Sequence, residues 1–365
     1  MRTVLWWGRF DPDYSRNRIL RRLLGELGWQ VQDFHPRCSA LAGLQAALAR
    51  IPRPDLVWVP CFRQRDLAAA SRWARNRGVP LVFDPLISAY DKQVDERGKI
   101  TTGSARARRL LARERALFQR ADRVLADTPA HARYFADVLD TDPARVAVVY
   151  VGAEAALFRP AAASAPEQGR RPEGLFYGSF IPLQGPQVVV EAARLYAGAP
   201  VSWTLLGQGP LRAACEAAAA GLDHVRFEDW LPYTELPARI RRADILLGIF
   251  GTTPKAGRVI PNKVFQALAC GRPVITRTAT AYPEALAAAG ESGLLWVAAG
   301  DAAALAGQVA QLAAAPERLQ ALGEAAAGSS EEYFSTAIVR RQLRAALQGL
   351  TSAHDDTDMP ARSAP

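Results

Sequence analysis

The residues best placed to do chemistry lie where the chain reads Gly257-Arg258-Val259-Ile260-Pro261-Asn262-Lys263-Val264-Phe265-Gln266 and closes at Gly271-Arg272-Pro273. A proline suits the first turn of a helix, because its φ is preset and its missing N–H is one the helix does not use there. Pro261 therefore predicts a helix start, with Asn262 and Lys263 in the first turn. A cation in that turn opposes the helix dipole unless an anion shares the site. A lysine beside free backbone N–H groups is then a phosphate clamp. Gln266 lies on the neighbouring turn, where its amide can reach ribose hydroxyls. A purely structural Lys263 is the competing reading.

Three loops offer backbone N–H groups to such an anion. The first is Phe176-Tyr177-Gly178-Ser179, continuing to Gln184-Gly185-Pro186: a strand, a glycine loop and a helix start. The second is Leu206-Gly207-Gln208-Gly209-Pro210, and the third, Trp7-Gly8-Arg9-Phe10, repeats the theme after the opening strand. Glycine after a parallel strand lets a ligand lie against the backbone at the sheet's C-terminal edge. A plain turn is the alternative for each. None of the loops reads G-x-G-x-x-G, so a dinucleotide fingerprint is absent. Phe250-Gly251-Thr252-Thr253 ends another strand where a sugar would lie, and Trp230 or Tyr233 would stack on a base. Asp84 and Asp91 follow a strand of the first half. A carboxylate there can orient an attacking hydroxyl. The four cysteines and four histidines are scattered, and no DxD stands at a plausible strand end, so no metal is expected.

These residues need parallel sheets to carry them, and the pattern supplies two. Short apolar runs alternate with helical stretches from Val4–Trp7 to Val146–Tyr150, and again from Gly174–Tyr177 to Leu294–Val297. That alternation predicts two doubly wound α/β domains in series. Expected boundaries are 1–158 for the first domain, 159–172 for a Pro-, Ala- and Arg-rich linker, 173–335 for the second domain, 336–350 for a final helix and 351–365 for a disordered tail. The chain of 365 residues is long enough for both domains. With 49% hydrophobic and 22% charged residues it is not a disordered polymer, and no apolar run spans a bilayer. The short run before Arg9 reads as a first strand and not a signal peptide, which predicts a cytoplasmic protein.

Charge is uneven. Residues 1–152 hold 26 Lys and Arg against 16 Asp and Glu, a net of +10, while the rest is close to neutral. An anionic partner of the first half is one reading, and arginines on solvated helix faces are the other. The stretch Ser104–Arg120 has six arginines around Leu110, Leu111, Leu117 and Phe118, a basic amphipathic helix capped by Ser104. It would lie on an anionic membrane or pack its apolar stripe on the core.

Taken together, Phe176–Gly185, Leu206–Pro210 and Pro261–Ile275, followed by Gly293-Leu294-Leu295 and Gly300-Asp301, resemble the retaining glycosyltransferases of family 4. The resemblance covers nearly the whole chain. It implies the GT-B fold of two Rossmann-like domains facing across a cleft, with a nucleotide sugar (UDP- or GDP-linked) on the second and the acceptor on the first. It also implies transfer by a front-face route without an enzyme nucleophile. Donor-side residues would be Gly178, Ser179, Gln184, Gly185, Gly207, Gly209, Trp230, Tyr233, Gly251, Pro261, Asn262, Lys263 and Gln266. Gly8, Arg9, Asp84 and Asp91 would face the acceptor, and Lys263, Arg258 and Asp84 would carry catalysis. The acceptor would be a sugar or a lipid-linked group in cell-surface polysaccharide, glycolipid or glycoconjugate synthesis, with the protein at times peripheral at the inner membrane face. The last helix would cross back to the first domain. The chain departs from the family's E-x7-E pattern, with Arg258 and Gln266 where glutamates stand, and from its Arg/Lys pair, with Ser179 and Gln184. Phosphate charge then falls to Lys263, Arg258 and backbone N–H groups. Rival readings are a nucleotide-sugar-binding protein without turnover, a nucleic-acid-binding protein, and a sugar epimerase.

Overall fold

The computed structural model describes residues 2–160 and 170–350. Most of the expected linker and the whole expected tail lie outside the described residues.

The first half runs β1 (Arg2–Trp7), α1 (Ser15–Glu26), β2 (Trp29–Phe34), α2 (Ala42–Leu48), β3 (Leu56–Val59), α3 (Leu67–Arg75), β4 (Leu81–Phe83), α4 (Ala105–Phe118), β5 (Arg123–Ala126), α5 (Pro129–Asp137) and β6 (Val146–Val148). The strands form one parallel sheet in the order β2-β1-β3-β4-β5-β6. The second half runs β7 (Glu173–Tyr177), α6 (Pro186–Leu195), β8 (Ser202–Leu206), α7 (Arg212–Ala218), β9 (Val225–Glu228), α8 (Leu236–Arg242), β10 (Ile245–Leu247), α9 (Asn262–Ala269), β11 (Val274–Arg277), α10 (Glu284–Ala288), β12 (Leu294–Val297), α11 (Ala302–Ala313), α12 (Pro316–Phe334) and α13 (Thr336–Leu347). Its sheet is also parallel, ordered β12-β11-β10-β7-β8-β9. The two doubly wound domains expected from alternating strands and helices are therefore present.

Parallel strands covered on both faces must be apolar, and all of β3 and the last four residues of β1 are. Val4 to Trp7 and Leu56 to Val59 are all buried. Trp6 stacks on Trp58 with ring centres 5.0 Å apart, and Trp7 packs at 5.4 Å from Trp73 of α3. Trp6 and Trp7 point to opposite faces of the sheet, so one strand nails both helical layers.

Several boundaries differ from the sequence reading for local reasons. The last strand of the first sheet stops at Val148, because the Tyr150 N–H turns to the Gln342 side chain, 3.0 Å away, instead of to a strand. β10 stops at Leu247, since the Ile249 N–H donates to the Thr276 hydroxyl at 3.2 Å. The helix expected over 38–50 is only Ala42–Leu48. The periodicity predicts a helix over Pro316–Ala327 and a last one near Ala337–Gln348; the first runs on to Phe334 as the 19-residue α12, and α13 follows after Ser335. α13 lies against α1 and β6 of the first domain.

One buried guanidinium ties the first domain together. Arg16 of α1 is fully buried, and its Nε donates to both Asp84 oxygens at 2.8 Å. Its Nη1 donates to the Val149 carbonyl at 3.0 Å. The helix, the exit of β4 and the exit of β6 thus meet at a single side chain. Burial raises the Asp84 carboxyl above the usual range, and the Arg16 charge pulls it back down. Removing one partner of such a pair strands the other charge. Arg16→Met should destabilise the protein by about 3–5 kcal/mol. The double variant Arg16→Met/Asp84→Leu should recover most of the loss. Denaturant melts measure both, and a single variant as stable as wild type would contradict this role.

Candidate functional site

In an open parallel sheet, ligands bind at the C-terminal strand ends where adjacent crossovers part to opposite faces. In the second sheet that point lies between β7 and β10. The loops after β7, β8 and β10 converge there, at backbone-to-backbone distance. A Cβ on Gly207 would stand 2.1 Å from the Gly178 carbonyl oxygen, and one on Gly251 would stand 2.4 Å from the Pro182 oxygen. Gly185, with φ +67°, abuts Gly251 in the same way. Only glycine permits this contact, which is why glycine follows each of these strands. Gly209 completes the floor against the Phe180 backbone. α6 begins at Pro186 directly behind the loop, so its N-terminus faces the same space.

Lys263 enters this floor from the first turn of α9. It is 5% exposed. Its Nζ donates to the Gly248 carbonyl at 3.1 Å and lies 3.6 Å from the centre of the Phe176 ring. A Cβ on Gly178 would be 3.3 Å from that Nζ and 3.3 Å from Gln184 Oε1. The Gln184 oxygen is itself buried without a hydrogen-bond partner. Burial alone drives the Lys263 amine well below the usual lysine range. Among the described residues no carboxylate pairs with it. A buried ammonium without a counter-ion is costly, which favours the neutral amine, and an anion placed beside it would favour the charged form. Ser179 is half-buried in the loop, and Pro261 stands just ahead of the helix whose first residue is Asn262.

Other expected residues are committed elsewhere. Gln266 is buried, and its Oε1 accepts from the Tyr177 hydroxyl at 2.9 Å, so the expected ribose contact loses its acceptor to the core of the domain. Tyr233 packs edge-on to Phe158 and lies 5.2 Å from the Arg18 guanidinium, which removes it from base stacking. Trp230 remains 51% exposed. Asn262 donates to the Ser15 hydroxyl across the cleft at 2.9 Å. Asp84 is locked to Arg16 and is no free base.

Arg258 faces the cleft but is held by the first domain. Its Nη2 donates to Asp91 at 2.7 Å, its guanidinium lies 4.3 Å from the Tyr134 ring, and its carbonyl accepts from the Thr128 hydroxyl at 2.5 Å. Nearby, Lys255 and Glu96, both buried, pair at 2.5 Å. Two ion pairs therefore bridge the domains where the segment Asp91–Glu96 meets Pro254–Gly257. The phosphate role expected of Arg258 is replaced here by an interdomain contact with Asp91.

The sequence reading passed over His131. It is buried at the start of α5, and its Nδ1 lies 2.6 Å from Asp127 while its Nε2 has no partner. Thr128 caps that helix, accepting from the His131 N–H at 3.0 Å. Asp127-Thr128-Pro129 was the available signal: a carboxylate and a cap four and three residues before a histidine. On the rim of the first domain, Gly8 has φ +138°, and its carbonyl lies 2.9 Å from His35 Nδ1. Arg9 beside it is exposed. Among the described residues no group of three or more His, Cys, Asp or Glu is arranged to hold a metal.

This geometry agrees with the relatives of the chain. The family described as glycosyl transferases group 1 matches residues 171–315, and the glycosyl transferase 4-like domain matches residues 8–152. A D-inositol 3-phosphate glycosyltransferase of Corynebacterium efficiens is 31% identical over 72% of this chain and 64% of its own length. The chain thus spans a little under two thirds of that relative. The enzyme of that name from Frankia alni is 30% identical over 80% of this chain and 72% of its own. Among solved structures, Anabaena Alr3699/HepE in complex with UDP and glucose superposes with a TM-score of 0.71 at 15% identity, covering 95% of this chain and 99% of that one. A sucrose-phosphate synthase from Thermosynechococcus elongatus gives 0.72 at 17% identity, over 94% and 98%. The chain belongs to the group 1 glycosyltransferases of family 4 type, with the GT-B fold.

Proposed function

We propose that the protein transfers a sugar from a UDP- or GDP-linked donor to an acceptor hydroxyl, with retention and without a divalent metal. The observation that carries this reading is Lys263, a buried amine with no carboxylate partner among the described residues, at the floor of three glycine loops. A nucleotide diphosphate supplies the missing anion. Lys263 and the N–H groups of the 178–185 loop neutralise the charge that builds on the departing diphosphate. In the reaction the anomeric C–O(phosphate) bond breaks and a C–O(acceptor) bond forms on the same face. Asp84 and Asp91 are each taken by an arginine. The acceptor proton therefore passes to the leaving diphosphate oxygen, and the protein's share is positioning and charge stabilisation.

The acceptor we infer carries phosphate, either as a soluble group or as part of a lipid. The names of the relatives and the net positive first domain support this. The product class would be a cell-surface polysaccharide, glycolipid or glycoconjugate. Binding without turnover is the second reading. Arg258 paired to Asp91, in place of a free glutamate, favours it. Release of UDP from UDP-glucose, followed with and without phosphorylated acceptors, separates the two.

Lys263→Met keeps the buried volume and removes the charge. It should weaken nucleotide diphosphate binding by about 1.5–3 kcal/mol, roughly ten- to a hundredfold, with the melting temperature unchanged or raised. Calorimetric titration with UDP checks this, and wild-type affinity in the variant would overturn it.

The lowered Lys263 amine also fixes a sign for pH. Free protein loses that proton at lower pH than an ordinary lysine does, and a bound diphosphate restores it. Binding must therefore take up a proton, and affinity must fall as pH rises through the free-state pKa. Titrations in buffers of different ionisation enthalpy report the proton. Affinity that is flat or rises with pH excludes this linkage. Transfer should persist in EDTA and gain nothing from Mg²⁺ or Mn²⁺. Activity lost to the chelator and restored by metal would refute a metal-free site.

A further inference from the structure

The helix α2 is turned inside out. An amphipathic helix on a domain surface ordinarily sends its largest apolar side chains to the core. Here the inward residues are Ala42 and Ala46, both fully buried. Leu41, Leu44 and Leu48, at i, i+3 and i+7, point to water and are 55%, 59% and 75% exposed. They are three of the most exposed large apolar residues in the described chain. Aligned on one face, they form a contiguous stripe, which soluble surfaces seldom carry without a partner.

The surroundings say what that partner is. α2 packs beside α3, and Leu41, Leu44 and Ala47 share one groove with Arg72, Trp73 and Arg77. Arg37 and Arg50 flank α2 in the chain, Arg65 precedes α3, Arg72 and Arg75 lie on α3, and all five are exposed. Between residues 37 and 77 there are eight arginines, no lysine, no glutamate and two aspartates, a net of +6. One of those aspartates, Asp66, is fully buried against Arg63, and the other, Asp55, is bonded to Thr3. Leucines ringed by arginines match a bilayer surface with anionic headgroups: the side chains enter the acyl boundary while the guanidiniums meet phosphates.

The basic helix singled out by sequence, α4, does not offer this. Its Leu111 and Leu117 pack on the first domain's core, Leu110 packs with Val94 and Ile100, and its Glu114 accepts from Ser88, Ala89 and Tyr90. Arg106, Arg108, Arg109 and Arg113 face water, whereas Arg115 donates to the Val138 carbonyl at 2.9 Å, and the helix has no free apolar stripe to insert.

We propose that the face formed by α2 and α3 docks the protein on an anionic lipid surface, with Leu41, Leu44 and Leu48 inserted and Arg72 and Arg75 on headgroup phosphates. This deepens the lipid-linked reading of the acceptor above, but it is measured without donor or acceptor. Docking and transfer can therefore fail separately.

The test is sedimentation with phosphatidylcholine vesicles, with and without phosphatidylglycerol, at low salt. Wild type should bind the anionic vesicles and not the neutral ones. Leu44→Asp/Leu48→Asp and Arg72→Glu/Arg75→Glu should each lose about tenfold or more in partitioning. Both should keep wild-type melting and UDP binding, because the substituted side chains are exposed and far from Lys263. Arg108→Glu/Arg109→Glu on α4 should lose much less than either. The proposal fails if wild type ignores anionic vesicles, if it binds neutral ones equally, or if the α2 variant partitions like wild type. It also fails if Leu44→Asp/Leu48→Asp dissolves a dimer in sedimentation equilibrium and leaves vesicle binding intact.

Discussion

The second domain is organised around a buried lysine amine that has no carboxylate partner among the described residues. Lys263 sits beneath three loops, bonded to one carbonyl and resting on one aromatic ring. Desolvating that charge costs energy on folding. The surrounding features keep the cost bounded while leaving the site open: the Gly248 carbonyl, the face of Phe176, and glycines that bring N–H groups close without side chains in the way. Even the unpartnered Gln184 oxygen belongs to this pattern, since it faces the same glycine as the lysine. The domain is less stable than an apolar floor would make it, and the deficit is located where a diphosphate can repay it.

The first domain answers the same electrostatic problem differently. Its buried charge, Arg16, is met inside the domain by Asp84 and by a carbonyl. Of that guanidinium only Nη2 is left without a hydrogen-bond partner. One buried cation is matched by a carboxylate within its domain, and the other, among the described residues, is not.

That distinction explains what was legible in the sequence. Gly178, Gly185, Gly207, Gly209 and the Pro261–Lys263 helix start were legible, because glycine and proline declare backbone geometry locally and a lysine in a first turn contradicts its own helix. The alternation of strands and helices foretold both sheets, since period and length suffice for that. Asp84, Asp91, Arg258 and Gln266 were misplaced, because each finds a partner more than sixty residues away and spacing does not report it. The same limit governed the helices. Periodicity gave α4 an apolar stripe but not what covers it. It could not show that α2 buries alanines and exposes leucines, which depends on how closely Trp73 and the sheet approach.

The two ends of the second domain meet the first at one place. Tyr150, on the way out of the first domain, is bonded to Gln342 of α13 and lies edge-on to Phe334 of α12. Gly152, with φ +71°, leaves room for Val339. The outgoing and returning chains thus run side by side, like two pins on one door. The ion pairs Arg258–Asp91 and Lys255–Glu96 join the domains at a separate place, where Asp91–Glu96 meets Pro254–Gly257. Parting the domains there would bring water to four charged side chains at once.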